Sequence, residues 1–168
     1  LWAGLHPFTT FPISLVLVKR LNPKPLPPPL AAKEPPSDAP EMAILLCAYN
    51  EERVIEAKIE NMMALKQAYP KLGVYIYVDC ASDRTAELLE PYRDRIFLHV
   101  SPERIGKTHG MNLLMAQVKA PYVIFTDANV SLDTQVPLRL LRYFSDPEIG
   151  CVCGHLKYTN AGDSVTAT

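Results

Sequence analysis

The sequence predicts an α/β domain with a mostly parallel sheet that helices cover on both faces. After Met42, short apolar runs alternate with amphipathic stretches, and these runs are continuous, as in strands buried on both sides. The chain has 168 residues, 48% hydrophobic and 21% charged, which suits one folded domain and excludes disorder. It begins at Leu1 and stops at Thr168 in mid-pattern, so we expect a domain truncated at its C-terminus.

Charge and cysteine usage narrow the classes of function. Seventeen Lys and Arg residues against eighteen Asp and Glu residues give a net charge of −1, which argues against nucleic acid as a partner. The four cysteines follow neither a metal-binding nor a disulfide pattern. We expect free, mostly buried thiols in a reducing compartment at Cys47, Cys80, Cys151 and Cys153.

The first forty residues predict an anchor and a spacer. Residues 1–22 are mostly apolar and predict the end of a membrane or interfacial segment. Lys19, Arg20 and Lys24 follow the apolar run, so the positive-inside rule predicts that the domain after them lies on the cytoplasmic side. Eight of the eighteen residues from 23 to 40 are proline, which predicts an extended linker or, alternatively, a ligand for a proline-recognition domain. Residues 41–168 form the folded part.

Strands are predicted at the apolar runs between turn residues, and helices where apolar residues recur with helical spacing. In chain order we expect strand 42–48, helix 51–68, strand 74–78, helix 85–92, strand 96–100, helix 107–118, strand 122–126, helix 134–144 and strand 151–156. The third helix has the clearest apolar stripe, formed by Met111, Leu114, Met115 and Val118.

Chemistry-bearing residues follow four of the predicted strands. Glu51 follows the first strand, Asp79 ends the second, Lys107 follows the third and Asp127 closes the fourth. Because ligands of parallel sheets bind at the carboxyl ends of the strands, we expect these groups to converge on one edge. Carboxylates gathered there need a counter-charge, which predicts a divalent metal carrying a phosphorylated ligand.

Lys107 starts a predicted helix, where the helix dipole disfavours a cation unless an anion is bound. Gly106 lets a phosphate approach that helix N-terminus. The same two residues match the end of a P-loop, with Asp127 as the magnesium-side acid. Ser101 replaces the first P-loop glycine and Pro102 removes an amide from the loop, so a P-loop-like nucleotide hydrolase is the weaker alternative.

Structural roles compete with these assignments. Asp79 and Asp127 stand at strand ends, where aspartates that cap turns are common. Asp83 and Thr85 fit the N-cap region of the helix that begins there, and this is the interpretation we favour for Asp83. Glu51 would equally suit the first turn of a helix, where an acid favours the dipole.

Four successive motifs resemble those of family-2 glycosyltransferases. They are Cys47-Ala-Tyr-Asn-Glu-Glu52, Asp79-Cys-Ala-Ser-Asp-Arg-Thr85, Gly106-Lys-Thr-His-Gly-Met-Asn112 and Phe125-Thr-Asp-Ala-Asn129. The resemblance implies a Rossmann-like nucleotide-diphospho-sugar transferase sandwich, the GT-A fold. It identifies the chain as the donor-binding part of a membrane-associated member.

The resemblance also implies roles for single residues. Ala48, Tyr49 and Glu51 match positions that line the nucleoside, and Asp79 matches the acid that contacts the base. Lys107 matches a residue near the diphosphate. All five are therefore expected to bind the nucleotide.

The last motif is expected to hold the metal. Asp127 matches the first acid of the D-x-D motif, which binds metal and the diphosphate. Asn129 stands where the second acid usually lies, and its amide oxygen can still coordinate Mg or Mn with less charge. Two further departures, Ala81 for the usual Ser and Arg84 for the usual Gly, remove no obvious catalytic group.

The family reaction implied is the metal-dependent, inverting transfer of a sugar from a nucleotide-diphospho-sugar, expected to be a UDP-sugar. The acceptor hydroxyl would belong to a glycan, a lipid or another acceptor in the synthesis of envelope polysaccharide, glycolipid or a similar glycoconjugate. The general base of the family lies in a later acidic motif, which is expected beyond Thr168. If that part is missing from the protein, a non-catalytic nucleotide-binding module is the remaining alternative.

Overall fold

The computed structural model describes residues 20–21 and 37–154. The predicted membrane segment, residues 1–22, therefore lies outside the described part except for Arg20 and Leu21. The predicted linker, residues 23–40, lies outside it up to residue 36. Within the described ranges, no helix combines the length and the apolar character needed to cross a membrane.

Four parallel strands form the sheet, in the spatial order β3-β2-β1-β4. The strands are β1 (Met42–Ala48), β2 (Leu72–Asp79), β3 (Phe97–Ser101) and β4 (Tyr122–Thr126). The register pairs Leu46 with Thr126 and Asp79 with Ser101. The carboxyl ends of all four strands consequently lie along one edge, as the sequence predicts.

Helices cover both faces of the sheet, which confirms the α/β class. They are α1 (Ile55–Ala68), α2 (Thr85–Leu89), α3 (Lys107–Gln117) and α4 (Val136–Leu141), with 3₁₀ turns Glu90–Tyr92 and Arg142–Ser145 after α2 and α4. Side chains of α1, α2 and α4 join the larger apolar core on one face. Helix α3 packs on the other face, over β1 and β2.

Helix α1 begins at Ile55 rather than at the predicted residue 51. Two residues before this start are held by their amides to another part of the chain. The amide of Glu51 donates to Thr85 Oγ1 at 2.8 Å, and that of Glu52 donates to Asp83 Oδ2 at 3.0 Å. These bonds tie residues 51 and 52 to the turn after β2, and residues 52–54 form a turn that leads into the helix.

The predicted fifth strand, 151–156, is wrong for the part that the structure describes. Residues 151–154 have no strand geometry there, and residues 155–156 lie outside the described part. Within the described ranges this segment does not pair with the outer edge of β4, which pairs with β1 alone. All four cysteines are free, as predicted, but Cys151 and Cys153 are exposed rather than buried.

A glycine lets α3 approach the sheet closely. A Cβ on Gly110 would lie 2.3 Å from Tyr77 Cδ1, too close for any real side chain. Tyr77 cannot yield easily, because it is fully buried and stacks on His99 with ring centroids 5.4 Å apart. Gly110 therefore fixes the height of α3 over β2, and with it the place of Lys107 at the carboxyl edge.

Candidate functional site

The carboxyl edge of the sheet contains a topological switch point. The chain forms β1, β2 and β3 in one direction and then places β4 on the opposite side of β1. Ligands of open α/β sheets bind in the crevice outside such a point. Tyr49, Asp79, Lys107 and Asp127 all lie at this edge, which is where the sequence predicts a site.

Lys107 and Asp127 form an ion pair at the switch point. Lys107 Nζ donates to Asp127 Oδ1 at 2.5 Å, and the two side chains are 60% and 57% exposed. The carboxylate of Asp127 thus offsets the unfavourable interaction between the Lys107 ammonium group and the positive end of the α3 dipole. Because the pair is solvated, it contributes under about 1 kcal/mol and can exchange for a ligand.

Asp79 is a buried anchor for the loop between β3 and α3. Its Oδ1 accepts from the amides of Ile105 and Gly106 at 2.9 and 3.2 Å, and its Oδ2 accepts from Gly106 at 3.0 Å. Burial acts to raise the pKa of Asp79, but these amides, the Tyr77 hydroxyl and the charge of Arg104 hold the pKa below its ordinary value of 3.8. The carboxylate is therefore ionised and acts as an acceptor only.

Tyr49 lies directly after β1 and carries a cation on one face of its ring. The guanidinium carbon of Arg104 lies 3.8 Å from the ring centroid, within range of a cation–π interaction. Ala48, the residue before it, is only 1% exposed. The Ala48 side chain is therefore closed to a nucleoside.

The turns after β1 and β2 are joined by side-chain hydrogen bonds. Asn50 has a left-handed backbone (φ 54°), and its side chain accepts from the Ser82 amide at 2.9 Å and donates to Ser82 Oγ at 3.2 Å. Cys80, with φ 51°, is the matching left-handed residue after β2. Non-glycine residues in this region are uncommon and concentrate at functional turns.

Asp83 and Glu51 differ in how these turns hold them: Asp83 is bound through its side chain and Glu51 through its backbone. Asp83 Oδ1 accepts from the amide and the hydroxyl of Thr85 at 2.9 and 2.5 Å. Its Oδ2 binds the amide of Glu52. These contacts agree with the structural role favoured for Asp83. Glu51 is held by its backbone, and its half-buried side chain lies at the same edge as Tyr49.

A buried lysine that the sequence does not reveal lies beneath the Asp127 turn, defined as residues 127–130. Lys58 of α1 is 2% exposed, and its Nζ donates to Thr126 Oγ1 at 2.7 Å and to the Val130 carbonyl at 2.5 Å. Burial lowers the pKa of Lys58 to about 8, an effect that the charge of Asp127 partly offsets. Lys58 therefore remains mostly protonated at neutral pH.

The metal ligands expected from the sequence are both accessible. Asp127 and Asn129 are exposed, two residues apart, where the Asp127 turn leaves β4. The described residues hold no group of three His, Cys, Asp or Glu side chains that would form a metal site by themselves. Mg and related hard cations are often held by one or two protein oxygens, with phosphates and water completing the shell. The residues present therefore fit a metal that arrives with a diphosphate.

The arrangement of strands and helices is that of the GT-A glycosyltransferases. The solved mannosyltransferase PcManGT from Pyrobaculum calidifontis, in complex with GDP-Man and Mn²⁺, has a TM-score of 0.69 at 22% identity, over 88% of this chain and 43% of that chain. The structure of S. aureus TarS 1–349 with UDP-GlcNAc has a TM-score of 0.55 at 19% identity, over 63% of this chain and 31% of that chain. Both likenesses establish the fold.

The profile of the glycosyl transferase family 2 matches residues 43–167, and the chain belongs to this family. Poly-beta-1,6-N-acetyl-D-glucosamine synthase of Staphylococcus aureus (strain COL) is 34% identical over 123 residues, 71% of this chain and 29% of that protein. The enzyme of the same name from Staphylococcus epidermidis is 28% identical over the same shares. The chain thus spans 29% of the length of these curated relatives.

Proposed function

We propose that this chain is the donor-binding part of an enzyme that transfers a sugar from a UDP-sugar to an acceptor hydroxyl, with inversion, in polysaccharide synthesis. The observation that carries the proposal is the ion pair between Lys107 Nζ and Asp127 Oδ1, which lie 2.5 Å apart at the switch point of a GT-A sheet. Membership of glycosyl transferase family 2 supports sugar transfer. The names of the staphylococcal relatives support a polysaccharide product.

Each edge residue has a defined part in this proposal. Tyr49, Glu51 and the Ala48 backbone line the nucleoside, and ionised Asp79 accepts the N–H of the base. Lys107 would leave Asp127 for the diphosphate, and Asp127 and Asn129 would hold Mg or Mn. Bound there, the metal would supply Lewis-acid neutralisation of the departing diphosphate. Lys107 adds a second positive charge to the same leaving group, in a site prepared by the fold.

The remaining parts of the proposal rest on the sequence. We propose that the general base and the acceptor site lie beyond Thr168, and that the acceptor is a glycan, a lipid or a similar molecule. Residues 1–22 would associate with a membrane, and residues 23–40 would tether the catalytic domain, residues 41–168, on its cytoplasmic side.

The hydrogen bonds of the loop before α3 argue against the P-loop alternative. A P-loop turns its backbone amides toward the phosphates. Here the amides of Ile105 and Gly106 donate to Asp79 instead. Lys107 is then left without the amide cradle that phosphate binding in a P-loop requires.

We expect the protein to bind UDP about 10- to 100-fold more tightly than ATP. The reason is that ionised Asp79 can accept the N–H of uracil, and a hydrogen bond to a charged group contributes about 1.5–3 kcal/mol. Calorimetry with Mn²⁺ present would measure both affinities, with UMP as the control. UMP should bind more weakly than UDP because it lacks the β-phosphate for Lys107. Tighter binding of ATP would contradict the proposal and favour a P-loop-like hydrolase.

Asn129→Asp should be tolerated and should tighten Mn²⁺ binding several-fold. The substitution adds a carboxylate at an exposed position beside Asp127, and hard cations prefer charged oxygen ligands. Titration of Mn²⁺ into the UDP-bound protein, compared with unaltered protein, would measure the change. A loss of metal binding in this variant would show that residue 129 does not face the metal.

A further inference from the structure

Lys58 closes the base of the Asp127 turn. Its two acceptors flank the turn, since Thr126 precedes it and Val130 ends it. The turn itself has one closing backbone bond, from the Val130 amide to the Asp127 carbonyl at 3.2 Å. The lysine thus adds two bonds to a segment that would otherwise be held weakly.

Asn61, one helical turn further along α1, holds the chain just beyond the same turn. Its side chain donates to the Leu132 carbonyl at 2.8 Å and accepts from the Leu132 amide at 2.9 Å. Lys58 and Asn61 are three residues apart and so lie on one face of α1. That face forms a template under the whole segment from Thr126 to Leu132.

The burial of Lys58 is costly and calls for a reason. An ammonium group removed from water is unfavourable unless it is fully hydrogen-bonded. The hydroxyl and the carbonyl that accept from it are both neutral groups, and Asp127 acts on it through its charge. An apolar side chain could fill this core position, so the lysine supplies something other than packing.

We propose that Lys58 and Asn61 are positioning residues that shape the Asp127 turn for metal and diphosphate. By joining both ends of the turn to α1, they direct Asp127 and Asn129 to the outer side of the carboxyl edge. This inference rests on the proposed function, because the metal is the ligand that the turn would present. Neither residue touches the donor itself.

Electrostatic repulsion and positioning predict opposite changes in metal affinity when the charge of Lys58 is removed. A buried cation close to Asp127 repels a metal ion, so its loss would by charge alone tighten metal binding. If Lys58 instead holds the turn, its loss should weaken metal binding, as loss of groups that orient metal ligands does by about 10- to 100-fold. The direction of the change therefore identifies the role.

The experiment uses Lys58→Met and Asn61→Ala, with Lys66→Met as the matched control. Lys66 is on the same helix, but its Nζ donates to the Arg95 carbonyl at 3.0 Å, away from the Asp127 turn. Titration of Mn²⁺ in the presence of UDP measures the metal requirement, which is the Mn²⁺ concentration at half-saturation. It should be about 10- to 100-fold higher in the first two variants. Lys66→Met should stay within about twofold of the unaltered protein.

Two further readouts separate positioning from loss of the fold. UDP binding without metal should stay within about twofold in both variants, because the hydrogen bonds of Lys58 and Asn61 go to residues 126, 130 and 132 and not to Tyr49 or Asp79. Hydrogen exchange in metal-free protein should be faster for the amides of residues 127–132 and unchanged in β1 and β2. Lys58→Arg keeps the positive charge and has N–H donors for both acceptors, so this variant should recover part of the metal affinity that Lys58→Met loses.

Contrary outcomes are equally defined. An unchanged or lower metal requirement in Lys58→Met, or an equal loss in Lys66→Met, would overturn the inference. If Lys58→Met fails to fold, an unchanged Asn61→Ala would overturn it. If the protein without substitutions shows no metal-dependent UDP binding, the proposed function fails. If the hydrogen-exchange rates of residues 127–132 do not change in Lys58→Met and Asn61→Ala, the positioning role itself is rejected.

Discussion

Asp127→Asn should abolish metal-dependent nucleotide binding while leaving the fold intact. The substitution removes the one carboxylate of the Asp127 turn, and a neutral amide binds a hard cation far more weakly. We expect the affinity for UDP with Mn²⁺ to fall by about 100-fold or more, beyond the effect of groups that only orient ligands. Stability should change by less than about 1 kcal/mol, because the ion pair with Lys107 is exposed to solvent.

Calorimetry for binding and thermal unfolding for stability would test this together. Asp94→Asn is the matched control, since Asp94 is an exposed aspartate in the segment before β3, at the opposite edge of the sheet. Unchanged metal-dependent binding in Asp127→Asn would refute its assignment as a metal ligand. A large loss of stability would instead give Asp127 a structural role.

Asp79→Asn should destabilise the protein by about 1–3 kcal/mol and weaken nucleotide binding as well. The variant places an NH₂ group or an uncharged oxygen where Ile105 and Gly106 now donate to a buried carboxylate. The loop before α3 would lose its anchor, and Lys107 would lose its fixed position. Denaturant unfolding and UDP calorimetry, with Asp94→Asn again as control, would measure both effects. Full stability in Asp79→Asn would mean that the loop does not depend on this carboxylate.

The pH dependence of stability should change in the same variant. Because the pKa of Asp79 is lower in the folded state than its ordinary 3.8, its stabilisation is fully present above that value. It is lost as the pH falls through the lower pKa of the folded state. As the pH is lowered below about 4, the free energy of unfolding should therefore fall less steeply in Asp79→Asn than in unaltered protein.

Local sequence patterns predicted the four strands of the sheet well because strand formation here depends on short apolar runs. The bounds of β1 and β4 agree with those predicted, since turn residues follow both runs. The starts of α2 and α3 agree with those predicted, at Thr85 and Lys107, but α1 begins four residues later than predicted. The bonds that hold Glu51 and Glu52 join them to residues more than thirty positions away, and no local pattern reports such a partner.

The site was predicted in its chemistry but not in its supporting contacts. Asp79, Lys107 and Asp127 were placed at one edge because each follows a strand. No local pattern links Lys58 to the site, since its partners lie 68 and 72 residues further along the chain. A lysine on the apolar side of α1, between Ile55 and Ile59, was the available signal.

The edge of β4 bears on how the protein should be handled in solution. Among the described residues β4 pairs only with β1, and Phe125 on it is 60% exposed because α3 lies over β1 and β2 instead. A strand with free amides and carbonyls beside an exposed aromatic ring is a template for another chain. Self-association of this polypeptide should therefore rise with concentration, and Phe125 is the first residue to replace by a charged one in preparations that must stay monomeric.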